Sequence, residues 1–148
     1  MAITRPTSDL ITTGWSTAGG ATSFFDAVDE TSPSDSDYVI SSPIGSTNVL
    51  VYGIASLTSG TYRIRLRSKH LQNNIADVRV LLLNSGDTIL VTSAWQTVTN
   101  SYTTYNFDLT FTGTATKIRI ETQLSLPTGQ IWLNGEVVGL SGSNLALI

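Results

Sequence analysis

The sequence predicts an all-β fold, a single antiparallel β-sandwich of jelly-roll type with an extended N-terminal arm. Three observations carry this. Several segments alternate strictly between apolar and polar residues, the period of a strand. Turn-forming residues bound each of them. No stretch keeps a helical period for more than two turns; LQNNIADV (71–78) comes nearest, and it reads as a loop.

The alternation is clearest in TYRIRLR (61–67), where Tyr62, Ile64 and Leu66 interleave with Arg63, Arg65 and Arg67. A strand sets those two groups on opposite faces, an apolar row inward and a guanidinium row outward. A helix would scatter the arginines around its circumference. YNFDLTF (105–111) repeats the pattern with Tyr105, Phe107, Leu109 and Phe111 on one side. In KIRIE (117–121), Ile118 and Ile120 point inward while Lys117, Arg119 and Glu121 point outward. The predicted core therefore holds Tyr62, Ile64, Leu66, Val80, Phe107, Leu109, Ile118 and Ile120.

In chain order, residues 1–10 form the arm, with Pro6 excluding helix. A short strand surrounds Trp15, and Phe24, Phe25 and Val28 begin another element. DETSPSDSD (29–37) is a polar loop holding four of the chain's eleven acids. A brief strand, 38–41, is closed by Pro43 and Gly45. Further strands are expected at 48–55, 61–68, 78–83, 88–93, 104–111, 117–124 and 130–139. A Gly/Ser-rich spacer then leads into the apolar tail, the whole end running over 140–148. About nine short strands without intervening helices imply a sandwich or barrel. There is no Cys-Trp-Cys signature, and the irregular first third favours a jelly roll over an immunoglobulin arrangement. One domain, 1–148, accounts for the chain, since neither a repeat nor a second core is visible.

Composition narrows the function classes. The chain of 148 residues has no cysteine, so disulfides and thiolate metal sites are excluded. Eight basic residues against eleven acidic give a net charge of -3, which argues against a nucleic-acid partner. No apolar run approaches the roughly 20 residues that span a bilayer, so no membrane partner is expected. MAITRPTSDL lacks the apolar stretch of a signal peptide.

Candidate chemistry is sparse. His70 is the only histidine, following Lys69 in what reads as a solvated loop, and no G-x-S-x-G elbow marks a nucleophile. No catalytic residue is expected. Asp29, Glu30, Asp35 and Asp37 could gather around a structural calcium, the one cofactor considered, although the spacing is not that of an EF-hand. The same acids serve equally as a solvated turn. The row Arg63, Arg65, Arg67 admits three readings: pairing across strands with Asp108, Glu121 or Asp77, an interface to an acidic neighbour, or nucleic acid, which would call for stacking aromatics between the basic residues, whereas Tyr62 points to the opposite side. Trp15, Trp95 and Trp132 offer rings for sugar stacking or for the core. The ending Leu145, Ala146, Leu147, Ile148 is a candidate contact arm, docking on its own sandwich or on a neighbour.

The opening, RPTSDLITTGWSTAGGATSFFDAVDETSPSDSDYVIS (5–41), resembles an N-terminal signature of jelly-roll structural proteins of tailed bacteriophages. Its parts are R-P-x-S-D, then G-W, an aromatic pair before D-E, and D-Y-I/V-x-S after further acids. The stretches TYRIRLR, WQTVTNSYTTYNFDLTF and KIRIE look like the matching sandwich core, similar in layout to carbohydrate-binding modules. The resemblance implies a non-enzymatic virion protein, most simply a capsid decoration (cement) protein on the capsid exterior. It would bind the major capsid protein or other virion proteins, as a homo-oligomer. The alternative it leaves open is a carbohydrate-binding module of a phage tail or secreted enzyme.

Overall fold

In the computed structural model the described residues are 3–4, 6–12, 15–18, 38–41, 48–69, 76–99, 101, 103–124, 136–138 and 145–147. They form eleven strands and no helix. The strands are β1 (Ile3–Thr4), β2 (Pro6–Ile11), β3 (Trp15–Ala18), β4 (Tyr38–Ser41), β5 (Asn48–Lys69) and β6 (Ala76–Leu83). After them come β7 (Ile89–Thr92), β8 (Gln96–Val98), β9 (Thr103–Leu124), β10 (Glu136–Val138) and β11 (Leu145–Leu147). All pairings are antiparallel. The central path runs β3-β4-β10-β5-β9-β6-β7.

Two long strands organise the molecule. The segments expected at 48–55 and 61–68 are one strand of 22 residues, β5, and those at 104–111 and 117–124 are another, β9. Straight, each would span about 70 Å at ~3.3 Å per residue. A chain of this size has a radius of gyration of only about 15 Å. Both strands therefore have to bend. Register shifts between Gly53 and Leu57, and between Thr58 and Gly60, mark where they do, as bulges fold a sheet over on itself. Gly113, at φ 103°, supplies the left-handed residue on the β9 side.

The two halves close on one core. Leu50, Tyr52 and Ile54 from the first half of β5 join Tyr62, Ile64 and Leu66 from the second. Val78, Val80 and Leu82 of β6 complete it, with Phe107, Leu109, Ile118 and Ile120 of β9. Every residue of the predicted core is buried. Tyr62 stacks on Phe111 at 5.5 Å between ring centroids, and its hydroxyl donates to the Thr58 carbonyl at 2.8 Å. Burial pushes the Tyr52 phenol well above its ordinary pKa, and the nearby Asp9 charge adds to the rise.

Within 1–10, the described residues 3–4 and 6–10 lie in extended strands that pair within the chain. β2 lies along β5, with Pro6 opposite Ile54 and Ile11 opposite Val51. A side chain at Gly53 would run into the Ser8 hydroxyl, which would have to turn away to make room. The tail also pairs within the chain: β11 lies against β5, Ala146 opposite Arg63, with β1 on its other side. The turn 84–88 is held by the Asn84 side chain, which accepts from the Gly86 and Thr88 amides at 2.9 Å each. Residues 19–37, which include Phe24, Phe25, Val28 and the acidic loop, lie outside the described residues, as does 125–135. The jelly-roll connectivity expected of the first third falls largely on the former.

Candidate functional site

The second half of β5 and the first half of β9 present one polar face. Gln96 donates through Nε2 to the Asn106 carbonyl at 2.8 Å, so that carbonyl points away from β5. Asn106 lies opposite Arg65, which makes the two a non-hydrogen-bonded pair. By the alternation of the ladder the same holds for Arg63 with Asp108, Thr61 with Thr110 and Arg67 with Thr104. Such pairs bring side chains closest, Cα atoms standing about 4.5 Å apart.

The side chains use that proximity. Arg63 donates from Nε to Asp108 Oδ1 at 2.7 Å and from Nη2 to Oδ2 at 2.8 Å. The bidentate contact lowers the Asp108 carboxyl below its ordinary pKa and raises that of Arg63. Thr61 and Thr110 share a hydroxyl hydrogen bond of 2.8 Å. Arg65 is half-buried, and its Nε has no hydrogen-bond partner among the described residues. Arg67 holds the next register position, opposite both Thr104 and Val138. Arg63 is thus charge-neutralised by Asp108, and its side-chain geometry is set by the neighbouring strand.

The other half of the sheet holds a buried ionic cluster. Glu121 was expected to point outward, and it does lie opposite in phase to Ile120, yet it is only 3% exposed. The row beside it is Val51–Arg119–Leu81, and both aliphatics are buried too. This half is covered on both faces. Glu121 Oε2 accepts from Arg79 Nε at 2.9 Å and Nη2 at 2.8 Å. Arg119 Nε approaches Oε1 to 3.0 Å as an ion pair, without the alignment of a hydrogen bond. Arg79 also lies over the Trp95 ring, 4.4 Å from its centroid, which gives that tryptophan a packing role.

The remaining candidates divide simply. Asp77 accepts from the Thr97 hydroxyl at 3.0 Å rather than from the arginine row. Leu145 and Leu147 sit at register positions opposite Ile64 and Tyr62. Ile148, His70, Trp132 and the acids Asp29, Glu30, Asp35 and Asp37 lie outside the described residues. Among the described residues no three of His, Asp and Glu gather at one point, so a calcium site rests on that loop alone. Leu10 and Ile11, missed in the sequence, are each 47% exposed beside Lys117, which binds Asp87 at 2.6 Å.

No protein-family model and no curated protein matches the chain. Solved structures do. The chain is similar to the enzymatically active domain of bacteriophage CBA120 tailspike protein 4, with TM-score 0.53 and 14% identity. That match covers 99% of this chain and 19% of the tailspike chain, so the chain spans about a fifth of its length. A family 29 carbohydrate binding module matches with TM-score 0.45 and 19% identity, over 82% of this chain and 86% of its own. Infectious bursal disease virus matches with TM-score 0.43 and 13% identity, over 86% of this chain and 27% of its own. At these identities the likeness is one of fold.

Proposed function

We propose that the chain is a non-enzymatic virion structural protein, most simply a decoration protein that clamps neighbouring capsid subunits. The observation that carries this reading is the polar face of β5 and β9. Cross-strand pairs fix its charged side chains in advance, so docking costs little further ordering. Arg65 stands half-buried on that face, and arginine's planar fork suits an acidic neighbour. The opening signature in 5–41 and the fold likeness to part of a phage tailspike both support a virion setting. Exchange of Arg63 and Arg65 for Gln tests it. Attachment to particles should weaken, most at low salt where the wild-type charges are least screened, while the melting temperature stays nearly unchanged. Decoration equal to wild type would remove the face from the account.

A second reading, a carbohydrate-binding module of a phage tail or secreted enzyme, rests on the layout of the strands in 61–67, 95–111 and 117–121. A glycan array separates the two: the decoration protein binds no glycan, the tail module binds a restricted set.

A further inference from the structure

We propose that the outer side of the sheet half formed by β2, the first part of β5 and the second part of β9 docks an extended segment of a neighbouring polypeptide. An aliphatic side chain of that segment fills the recess beside Leu10 and Ile11, and a carboxylate two residues along meets Arg119. This goes beyond the proposed function, since it uses the other half of the sheet from Arg63 and Arg65.

The apolar part begins with a bulge. Asp9 stands opposite Tyr52 and Ile11 opposite Val51, so Leu10 is an extra residue on β2. A regular strand would send two consecutive side chains to opposite faces. Here Leu10 and Ile11 line the same recess of about 260 Å³, with Val51, Lys117 and Asp87. Both stay half-exposed, on a strand whose one ladder partner among the described residues is β5. The recess is smaller than the ~300–1,000 Å³ of small-molecule sites, so it suits one inserted side chain rather than a free ligand. Its polar wall is already neutral: Lys117 Nζ donates to Asp87 Oδ1 at 2.6 Å and to the Ser85 carbonyl at 3.2 Å.

Charge selection therefore falls to Arg119. It stands opposite Val51 and two residues beyond Lys117 on β9, so it borders the recess on the same face. Among the described residues Glu121 is the one carboxylate between two guanidinium groups, and both of its aligned hydrogen bonds come from Arg79. The trio keeps one positive charge. Trp95 covers Arg79, whereas the Arg119 side chain is 32% exposed and its Nε has no hydrogen-bond partner among the described residues. An acidic side chain arriving there supplies the missing charge, and arginine's planar fork suits it. Two copies meeting through this face would set like charges together, which disfavours self-pairing.

The two contacts share a repeat. Lys117 and Arg119 are successive outward residues of one strand, about 7 Å apart. Alternate side chains of any other extended segment have the same spacing. The partner segment therefore reads aliphatic, any residue, acidic.

NMR titration of the full chain with a blocked pentapeptide, Ser-Leu-Ser-Asp-Ser, tests the site. At millimolar concentration the peptide should give saturable shifts at the Leu10 and Ile11 methyls and at the Arg119 Nε–H, leaving Arg63 unmoved. Serine in place of the leucine should weaken binding about tenfold. Asparagine in place of the aspartate should weaken it about threefold at low salt, and less as salt rises. On the protein side, Ile11→Thr should reproduce the first loss in direction and Arg119→Gln the second. Ile11 is half-exposed, and Arg119→Gln leaves the Arg79–Glu121 hydrogen bonds in place, so both variants should keep the fold. No saturable shift, equal binding of the three peptides, or wild-type binding by either variant overturns the proposal. Shifts confined to Arg63 and Arg65 would assign the peptide to the other face and overturn it as well. Shifts at Leu10 and Ile11 that follow protein concentration without peptide would make a second copy the occupant and overturn the choice of partner. None of these measurements uses particles, so a failure here is distinct from a failure of the virion reading.

Discussion

Arg63 grips Asp108 through two parallel hydrogen bonds of 2.7 and 2.8 Å across directly opposed positions of β5 and β9. The main chain of Arg63 faces the other way, toward Ala146 of β11. One residue thus ties the polar face to the C-terminal strand. Its side chain orders the surface while its backbone holds the tail.

The pair should report on itself by pH. The folded Asp108 carboxyl lies below its unfolded pKa, so the stabilisation it brings is fully present above the ordinary carboxylate range near ~4. That stabilisation disappears as the pH falls through the lowered value. An NMR titration of the Asp108 carboxyl should show a depressed midpoint in the native protein. Arg63→Gln should return it toward ~4; a midpoint unaffected by the substitution would deny the bidentate contact.

Phe107 is 3% exposed and packs between the two halves of the sheet. Phe107→Ala removes that burial and leaves a cavity, at a cost of about 3–5 kcal/mol. Thermal unfolding should move down by about 6–20 °C for a domain of this size. A melting temperature unchanged within error would contradict the assigned strand face.

Glu121→Gln tests the buried cluster. The change strands Arg79 and Arg119 beside a neutral amide, and breaking a buried pair costs about 3 kcal/mol at the low end of the usual range. The low end applies because both arginines still reach water, at 30% and 32% side-chain exposure. Denaturant unfolding should show a shifted midpoint with the slope unchanged. A loss no larger than that of an exposed ion pair would mean the cluster is solvated.

Deleting 144–148 removes β11 and uncovers the edge of β5 at 62–64. With about 1 kcal/mol per net hydrogen bond, the monomer should lose a few kcal/mol. It should also self-associate more readily, as open edges do. Unchanged monomer stability together with weaker particle binding would instead make the tail an intermolecular anchor.

Much of this fold is legible in the sequence, and the exceptions have physical causes. Alternation in 61–67 and 105–111 gives the inward rows because one face of that half meets solvent. The fusion of neighbouring segments into β5 and β9 is hidden, since 55–60 and 112–116 carry the Ser, Thr and Gly that also make turns. The bulges there keep strand pairing through turn-like sequence. Glu121 misleads because alternation alone assumes a wet outer face. The signal against that assumption lies in VRVLLL (78–83) and VLV (49–51), apolar at both parities, as strands covered on both sides are. Gln96–Val98 is too short to show any period. The Arg63–Asp108 pairing was among the partners the sequence offered, but choosing it over Glu121 or Asp77 needed the register.

The most direct test of the virion reading is the copy number of this chain in virions purified from its source, measured by quantitative mass spectrometry and located by cryo-electron microscopy. A decoration protein predicts hundreds of copies per particle, set on the capsid exterior across the joints between subunits. A few to a few dozen copies would place it on the tail and contradict the clamp, and its absence from washed particles would contradict a virion role altogether.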